Sequence, residues 1–545
     1  MNKSCLAIAL GLAIGVCASA DAATVQLLNI DPPGAGLNDT TPAAPQGNNP
    51  GTTVGDQRRI AYEFAADLWG AVLESEVDIK VYASFQPLTC TAGSGVLGAA
   101  GTNWIVFNFP GADPNVLYHS ALGDAIAGED LVPDPSDPGD IVSFFNANLG
   151  QPDCLAGSGW YYGLDGNTPA GQINFLNVVM HEIGHGLGFS GFVNKTSGAL
   201  LANLPDVYTR VAYDNQADLR FTDPAMTNAL RAAAMRTPGR SVWDGANVNA
   251  QAPLILDDLV LLRASGTLTA GFNFGLASFG PQVTSDNFSG SLSLVNDGAG
   301  ADPNDACEAL PAGSLTGRIA LANRGGCGFE LKAVNAGNAG ATGLIIGNAV
   351  TSPSPGTPPN MADDPTLSAS IPTLSVNLAD NQALQAALPG VDVSLGVVPG
   401  RLAGLDIDGR TQLYAPTTVA TGSTFSHFDT ALSPNALMEP FITPTLRSEI
   451  NIDLTPALLE DIGWNLNEGN ATIGNCTTNV DVVQDGGLIP GANVQAWSNL
   501  CLRTSGSKGQ YQSCMDGYKT RALAAGVLVG NQGGKVMSCA AKILK

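Results

Sequence analysis

Histidine is scarce in this chain, with four residues in 545. Any chemistry that needs an imidazole must therefore draw on His119, His181, His185 or His427. Basic residues are also few. Lys and Arg total 24 against 48 Asp and Glu, a formal net charge of −24. This balance argues against nucleic acid and anionic membrane surfaces as partners and favours solubility. Beyond the N-terminus no apolar run is long enough to span a bilayer. The run at residues 522–529 is too short and is followed by polar and charged residues.

The first residues read as a secretory signal, residues 1–23. Lys3 gives the positive start, residues 6–16 are apolar, and Ala18-Ser19-Ala20 is a small-residue cleavage site. Val16 before Cys17 argues against a lipoprotein site. The expected location is secreted: extracellular, or periplasmic in a Gram-negative cell. Eight cysteines remain after signal removal, and an even count in an exported chain suggests disulfides. They fall along the chain as two (Cys90, Cys154), two (Cys307, Cys327) and four (Cys476, Cys501, Cys514, Cys539). The expected pairs are Cys90–Cys154 and Cys307–Cys327, with the last four paired among themselves.

Two of the four histidines stand in His181-Glu182-Ile183-Gly184-His185, after an apolar run at 173–180 that suits a buried helix. Positions i and i+4 of a helix share one face, so both imidazoles can hold one zinc ion. Glu182 then projects where it can take a proton from a water that the metal acidifies. With so few histidines, a chance match falls at roughly one in a thousand or less. A catalytic zinc site wants three protein ligands. In the compact H-E-x-x-H-x-x-G-x-x-H pattern the third is a histidine six residues after the second, but that position is Gly191. The third ligand must come from elsewhere, and His119 and His427 are the spare histidines.

The rest of the chain reads in order as follows. Residues 24–55 are rich in Gly, Pro, Asn and Thr and are expected to form a loose lead-in. Residues 57–73 have helical periodicity, residues 77–85 alternate like a strand, and a helix near 120–127 and a strand near 141–145 follow. The acidic loop Glu129, Asp130, Asp134, Asp137, Asp140 offers oxygen ligands for Ca2+, but it has no recognisable calcium-loop pattern, so a solvated loop is the favoured reading. From about 271 short β-type segments dominate. Residues 467–545 carry four cysteines and two expected helices, near 509–524 and 535–544, and read as a small disulfide-stapled appendage.

Two family resemblances emerge from motifs. Gly317, Ile319 to Leu321, Arg324, Gly325, Cys327, Phe329, Lys332, Ala333, Ala336, Ala339, Gly340 and Ala341 form a G-x-I-A-L-x-x-R-G-x-C-x-F segment with a following alanine-rich helix. This resembles the protease-associated (PA) domain, which implies a non-catalytic α/β insertion over 271–400. The second set is H-E-x-x-H-x-x-G-F at 181–189, Ser426-His427-Phe428, Met438 eleven residues on within Leu437-Met438-Glu439-Pro440, and Asp461-Ile462-Gly463-Trp464. This combination resembles the leishmanolysin-like metzincins over residues 55–200 and 410–466. The resemblance implies His427 as third zinc ligand, Met438 as the turn beneath the metal, and Glu182 as base. Pro440 stands where some metzincins place a ligating tyrosine.

The fold expected from both resemblances is α+β. A two-lobed metzincin-type zincin catalytic domain occupies 24–270 and 401–466, the PA domain interrupts it, and the Cys-stapled region closes the chain. The implied activity is a zinc metalloendopeptidase with one catalytic Zn2+, acting on protein or peptide substrates. A zinc hydrolase of non-peptide bonds and a non-catalytic binding protein on a relic zincin fold are the alternatives.

Overall fold

The computed structural model describes residues 22–298, 300–364 and 366–543. The expected signal segment lies outside the described residues except for its last two. The chain divides into two compact units. Unit 1 takes the residues up to Ile255 and those from Arg410 onward, and unit 2 is Leu256–Gly409.

Unit 1 begins with strand β1 (Val25–Asn29) and helix α1 (Val54–Val72). Thr53 caps α1 by accepting the Asp56 N–H at 3.0 Å. Strand β2 (Ile79–Gln86), edge strand β3 (Gly98–Thr102), strand β4 (Ile141–Asn146) and helix α2 (Phe175–Leu187) follow. The sheet order is β1-β2-β4-β3. β1, β2 and β4 run parallel, and β3 is antiparallel to β4. The residues before α1 are therefore not a loose lead-in. β1 extends the sheet, and Asn49 is fully buried, donating to the carbonyls of Gln57 (2.9 Å) and Tyr162 (2.8 Å). Composition missed this because the polar residues there satisfy backbone groups far away in sequence.

All thirteen residues of α2 are buried. Asn174 caps its start by accepting the Asn177 N–H, and Gly188, at φ +127, ends it. Gly186 lets the helix lie against β4, since a methyl there would sit 2.3 Å from Ile141 Cγ2. Trp69 of α1 donates its indole N–H to the Met180 carbonyl (3.1 Å). Trp464 does the same to Leu187 (2.7 Å).

Unit 2 starts and ends with paired strands. β5 (Asp258–Gly266) runs antiparallel to β10 (Val391–Leu402), placing Asp258 opposite Leu402. Between them lie β6 (Ser289–Leu294), β7 (Ile319–Asn323), helix α3 (Phe329–Asn338), β8 (Gly343–Gly347) and β9 (Thr373–Val376). With the short strands Ala270–Phe272 and Gly275–Leu276 they form, among the described residues, one sheet of eight strands, with β6, β7, β8 and β9 mutually parallel. β7, β8 and β9 are buried on both faces, as central parallel strands require. Ala320, Ala322, Leu344 and Ile346 pack with Ala333 and Ala336 of α3. Ile319, Leu321 and Ile345 face the other way, with Leu374 and Leu384. The expected bounds of 271 and 400 fall inside this unit. Its first strand precedes the change in composition and pairs with its last.

In unit 1, Val242 and Trp243 pair with Gln412 and Thr411, on either side of the departure into unit 2. Helix α4 (Thr455–Ile462) follows. Residues beyond 467 also belong to unit 1, where the sequence suggested a separate appendage. Helix α5 (Pro490–Thr504), not expected from sequence, reaches α1 through Arg503 to Asp67 (2.7 Å) and Trp497 against Phe64 (5.4 Å between rings). The four disulfides are Cys90–Cys154, Cys307–Cys327, Cys476–Cys539 and Cys501–Cys514. Among the described residues no helix is long and apolar enough to cross a membrane. The molecule is thus a mixed α and β protein with disulfides.

Candidate metal centre

α2 presents His181 and His185 on one face, and the segment after the chain's return from unit 2 brings His427 to them. The three Nε2 atoms form a triangle with sides of 3.1, 3.1 and 3.2 Å. Each ring is buried, at 5–7% exposure. Each Nδ1 faces a backbone carbonyl: His181 to Leu437 at 2.7 Å, His185 to Phe189 at 2.9 Å and His427 to Ser423 at 2.8 Å. A carbonyl only accepts, so Nδ1 carries the proton in each neutral ring and Nε2 is left with a bare lone pair. Burial drives the ring pKa values down, to about 4 for His181 and about 3 for His185, and well below the usual range for His427. Three neutral lone pairs so close repel one another, and a cation relieves that repulsion. Zinc sits about 2.0–2.1 Å from imidazole nitrogens, and a triangle of this size admits one ion at that distance from all three. The donor set fits zinc.

Glu182 is buried at 5% exposure, and burial pushes its carboxyl up to about 8. It lies against β3, where the space beside Gly98 receives its carboxyl end.

Below the helix, Met438 is fully buried with its sulfur against Gly184. A methyl at Gly184 would lie 2.9 Å from Met438 Sδ, so the small residue between the two histidines admits the methionine. The neighbouring Leu437 carbonyl is the one that holds His181. Its own N–H donates to Asp453 Oδ2 at 2.6 Å. Glu439 Oε1 accepts from Ala436 N at 2.9 Å, and burial raises this carboxyl to about 8. The turn carrying Met438 is thus tied down by two carboxyl groups, those of Asp453 and Glu439. Asp453 stands in the loop just before α4, sixteen residues from the amide it holds, and no motif marks it.

Gly191, the ligand position of the compact pattern, has no room for an imidazole. A methyl there would meet Thr209 Oγ1 at 2.8 Å, Phe425 Cε1 at 3.0 Å and Tyr208 Cδ1 at 3.2 Å. Two of these residues anchor the His427 segment. Tyr208 donates its hydroxyl to the Phe425 carbonyl at 2.8 Å. Phe425 is held at φ +69, an uncommon region for a bulky residue, and stacks on Phe221 at 4.8 Å.

His119 does not join the cluster. It is buried, with Nε2 2.9 Å from Ser190 Oγ and Nδ1 without a hydrogen-bond partner among the described residues. Burial lowers its pKa to about 3. Asp429 is no partner of a ligand ring among the described residues; its carboxylate caps a turn through Ala431 N at 3.0 Å. The acidic loop gathers no metal-sized group of oxygens among the described residues. Asp140 accepts from Lys80 N (2.8 Å), Asp137 from Asn103 (3.0 Å), and Asp134 and Asp130 close their own turns. Nothing there supports calcium. A second acidic group, Asp297, Asp305 and Glu308, lies in unit 2.

The family model for the PA domain matches residues 289–384, which lie within unit 2, so this chain contains a PA domain. A search of curated proteins gave no match. Among solved structures, a zinc aminopeptidase from Bacillus subtilis is similar at 21% identity and TM-score 0.19, covering 28% of this chain and 37% of that one. A peptidase M28 precursor from Shewanella amazonensis matches at 17% identity and TM-score 0.20, covering 26% and 36%. A psychrophilic subtilisin-like protease from an Antarctic Pseudoalteromonas matches at 21% identity and TM-score 0.19, covering 26% and 34%. The chain thus spans little more than a third of these relatives, and likenesses this low carry no argument about the metal centre.

Proposed function

We propose that the chain is a secreted, metzincin-type zinc endopeptidase acting on protein or peptide substrates. The observation that carries this reading is the convergence of three bare Nε2 atoms next to a buried glutamate. Zinc held by His181, His185 and His427 would supply Lewis acidity to a scissile carbonyl and to the attacking water. The chain's own residues do the rest. The three backbone carbonyls fix each imidazole in the tautomer that leaves Nε2 for the metal. Glu182 takes the water's proton as general base and hands it to the departing amine as general acid. Met438 and the Leu437 carbonyl form the floor that orients His181. The PA domain in the same chain and the four disulfides agree with an exported peptidase.

The test is cleavage of fluorescein-labelled casein by the purified protein, with and without 1,10-phenanthroline. Cleavage lost with the chelator and restored by zinc is the expected outcome. Chelator-insensitive cleavage would rule out the mechanism, and a zinc-loaded protein that cleaves nothing would rule out the peptidase.

A further inference from the structure

The Glu182 side chain is buried, so packing decides where its carboxyl stands. Its tightest boundary is β3. A methyl added at Gly98 would lie 2.5 Å from Glu182 Oε1 and 2.8 Å from both Cδ and Cγ. Carbon atoms in contact sit about 3.5–4.0 Å apart, so each of these is a clash. Gly98 pairs with Phe145 in ordinary antiparallel register, and its φ lies outside the left-handed region. Its backbone does not demand glycine; the space does. Three residues along the same strand, a methyl at Gly101 would meet nothing within 4 Å.

We propose that Gly98 is a positioning residue for the general base: its missing side chain is the slot that the Glu182 carboxyl occupies, and any larger residue drives the carboxyl out of line. The catalytic consequence rests on the peptidase reading above; the steric claim does not. The atoms that must give way are the flexible end of one side chain. The displacement therefore costs the fold little and the base its placement. Misplacing a catalytic group by an ångström can cost about 100-fold in rate.

The test compares Gly98→Ala, Gly101→Ala, Glu182→Asp and the Gly98→Ala/Glu182→Asp double variant, all in the full chain. Gly98→Ala should retain zinc, keep KM for fluorescein-casein, and lower kcat about 100-fold. Gly101→Ala should match the parent protein. On the shortened Glu182→Asp background, Gly98→Ala should cost almost nothing further, the signature of a steric pair. Crystal structures should show the Glu182 carboxyl displaced in Gly98→Ala and unmoved in Gly101→Ala. This arm decides the proposal even if the protein cleaves no peptide, so failure of the peptidase reading is separable. Should Gly98→Ala not fold, a folded double variant supports the slot. Collapse of both proteins that carry Gly98→Ala would overturn it, as would an undisplaced carboxyl or a kcat equal to that of Gly101→Ala.

Discussion

Among the described residues, two groups of side chains lie close enough to share a cation, and they solve the same electrostatic problem in opposite ways. In unit 2, Asp297, Asp305 and Glu308 converge beside a disulfide, and the chain supplies its own cation. Lys332 is fully buried there, with its ammonium donating to the carbonyls of Asp305 and Gly325 at 2.6 Å each. Burial lowers the Lys332 pKa, while Asp305, Asp302, Asp297 and Glu308 all act to raise it. In unit 1 the three histidines have no built-in cation among the described residues; their neutral nitrogens point at one another. Whether the chain carries the positive charge itself separates a structural charge group from a candidate metal centre.

The largest expected effect tests that contrast directly. His427→Ala should lose zinc and all casein cleavage, by more than the 10–100-fold typical of an outer-shell partner. Glu308→Gln and His119→Ala should leave both unchanged. Metal analysis and activity of the three variants decide it, and zinc retained in His427→Ala would place the third ligand elsewhere. Next in size, Glu182→Ala should keep its zinc and lose about 10²–10⁴-fold in kcat, since it removes a proton carrier and no ligand.

A smaller change is expected at Asp453. Asp453→Ala should weaken zinc binding about 10–100-fold by freeing the turn that holds His181, and Asp453→Asn, which keeps an acceptor for Leu437 N, should recover part of it. Competition with a chelator measures both; equal affinity in all three proteins would show that the turn stands without Asp453. In unit 2, Lys332→Met should leave zinc and cleavage untouched while lowering thermal stability by about 1–3 kcal/mol, because buried acceptors lose their donor. A separate, pH-dependent effect concerns Glu439. Its folded carboxyl holds a proton up to about pH 8, whereas the unfolded one releases it near 4.5. The folded state therefore binds more protons in that window, and the group's contribution to stability falls as pH rises from about 4.5 to 8. Glu439→Gln stays neutral and should gain on the parent protein across that interval, as read from denaturant melts.

What the sequence revealed followed contact range. The His181–His185 pair was legible because helical periodicity places both on one face, and the PA segment because its matching residues are contiguous. His427 was reached through a motif resemblance, not through spacing. Gly98 and Asp453 left no trace, since each acts through a space or an amide that only the folded chain brings near. The same holds for β1 and for α5 on α1, where polar and aromatic contacts cross much of the chain.

The pairing of β5 with β10 has a consequence for how the site assembles. His185 and His427 are 242 residues apart in sequence. A chain that had to close a loop of that length in one step would face a slow search. Once unit 2 has folded, its ends are joined by Asp258 opposite Leu402, and the whole excursion behaves as a short tether. The effective loop drops to roughly 100 residues, which lowers the closure cost by about 0.8 kcal/mol. The order of events that this favours is insertion first and metal site last, so zinc capture would report completion of the fold.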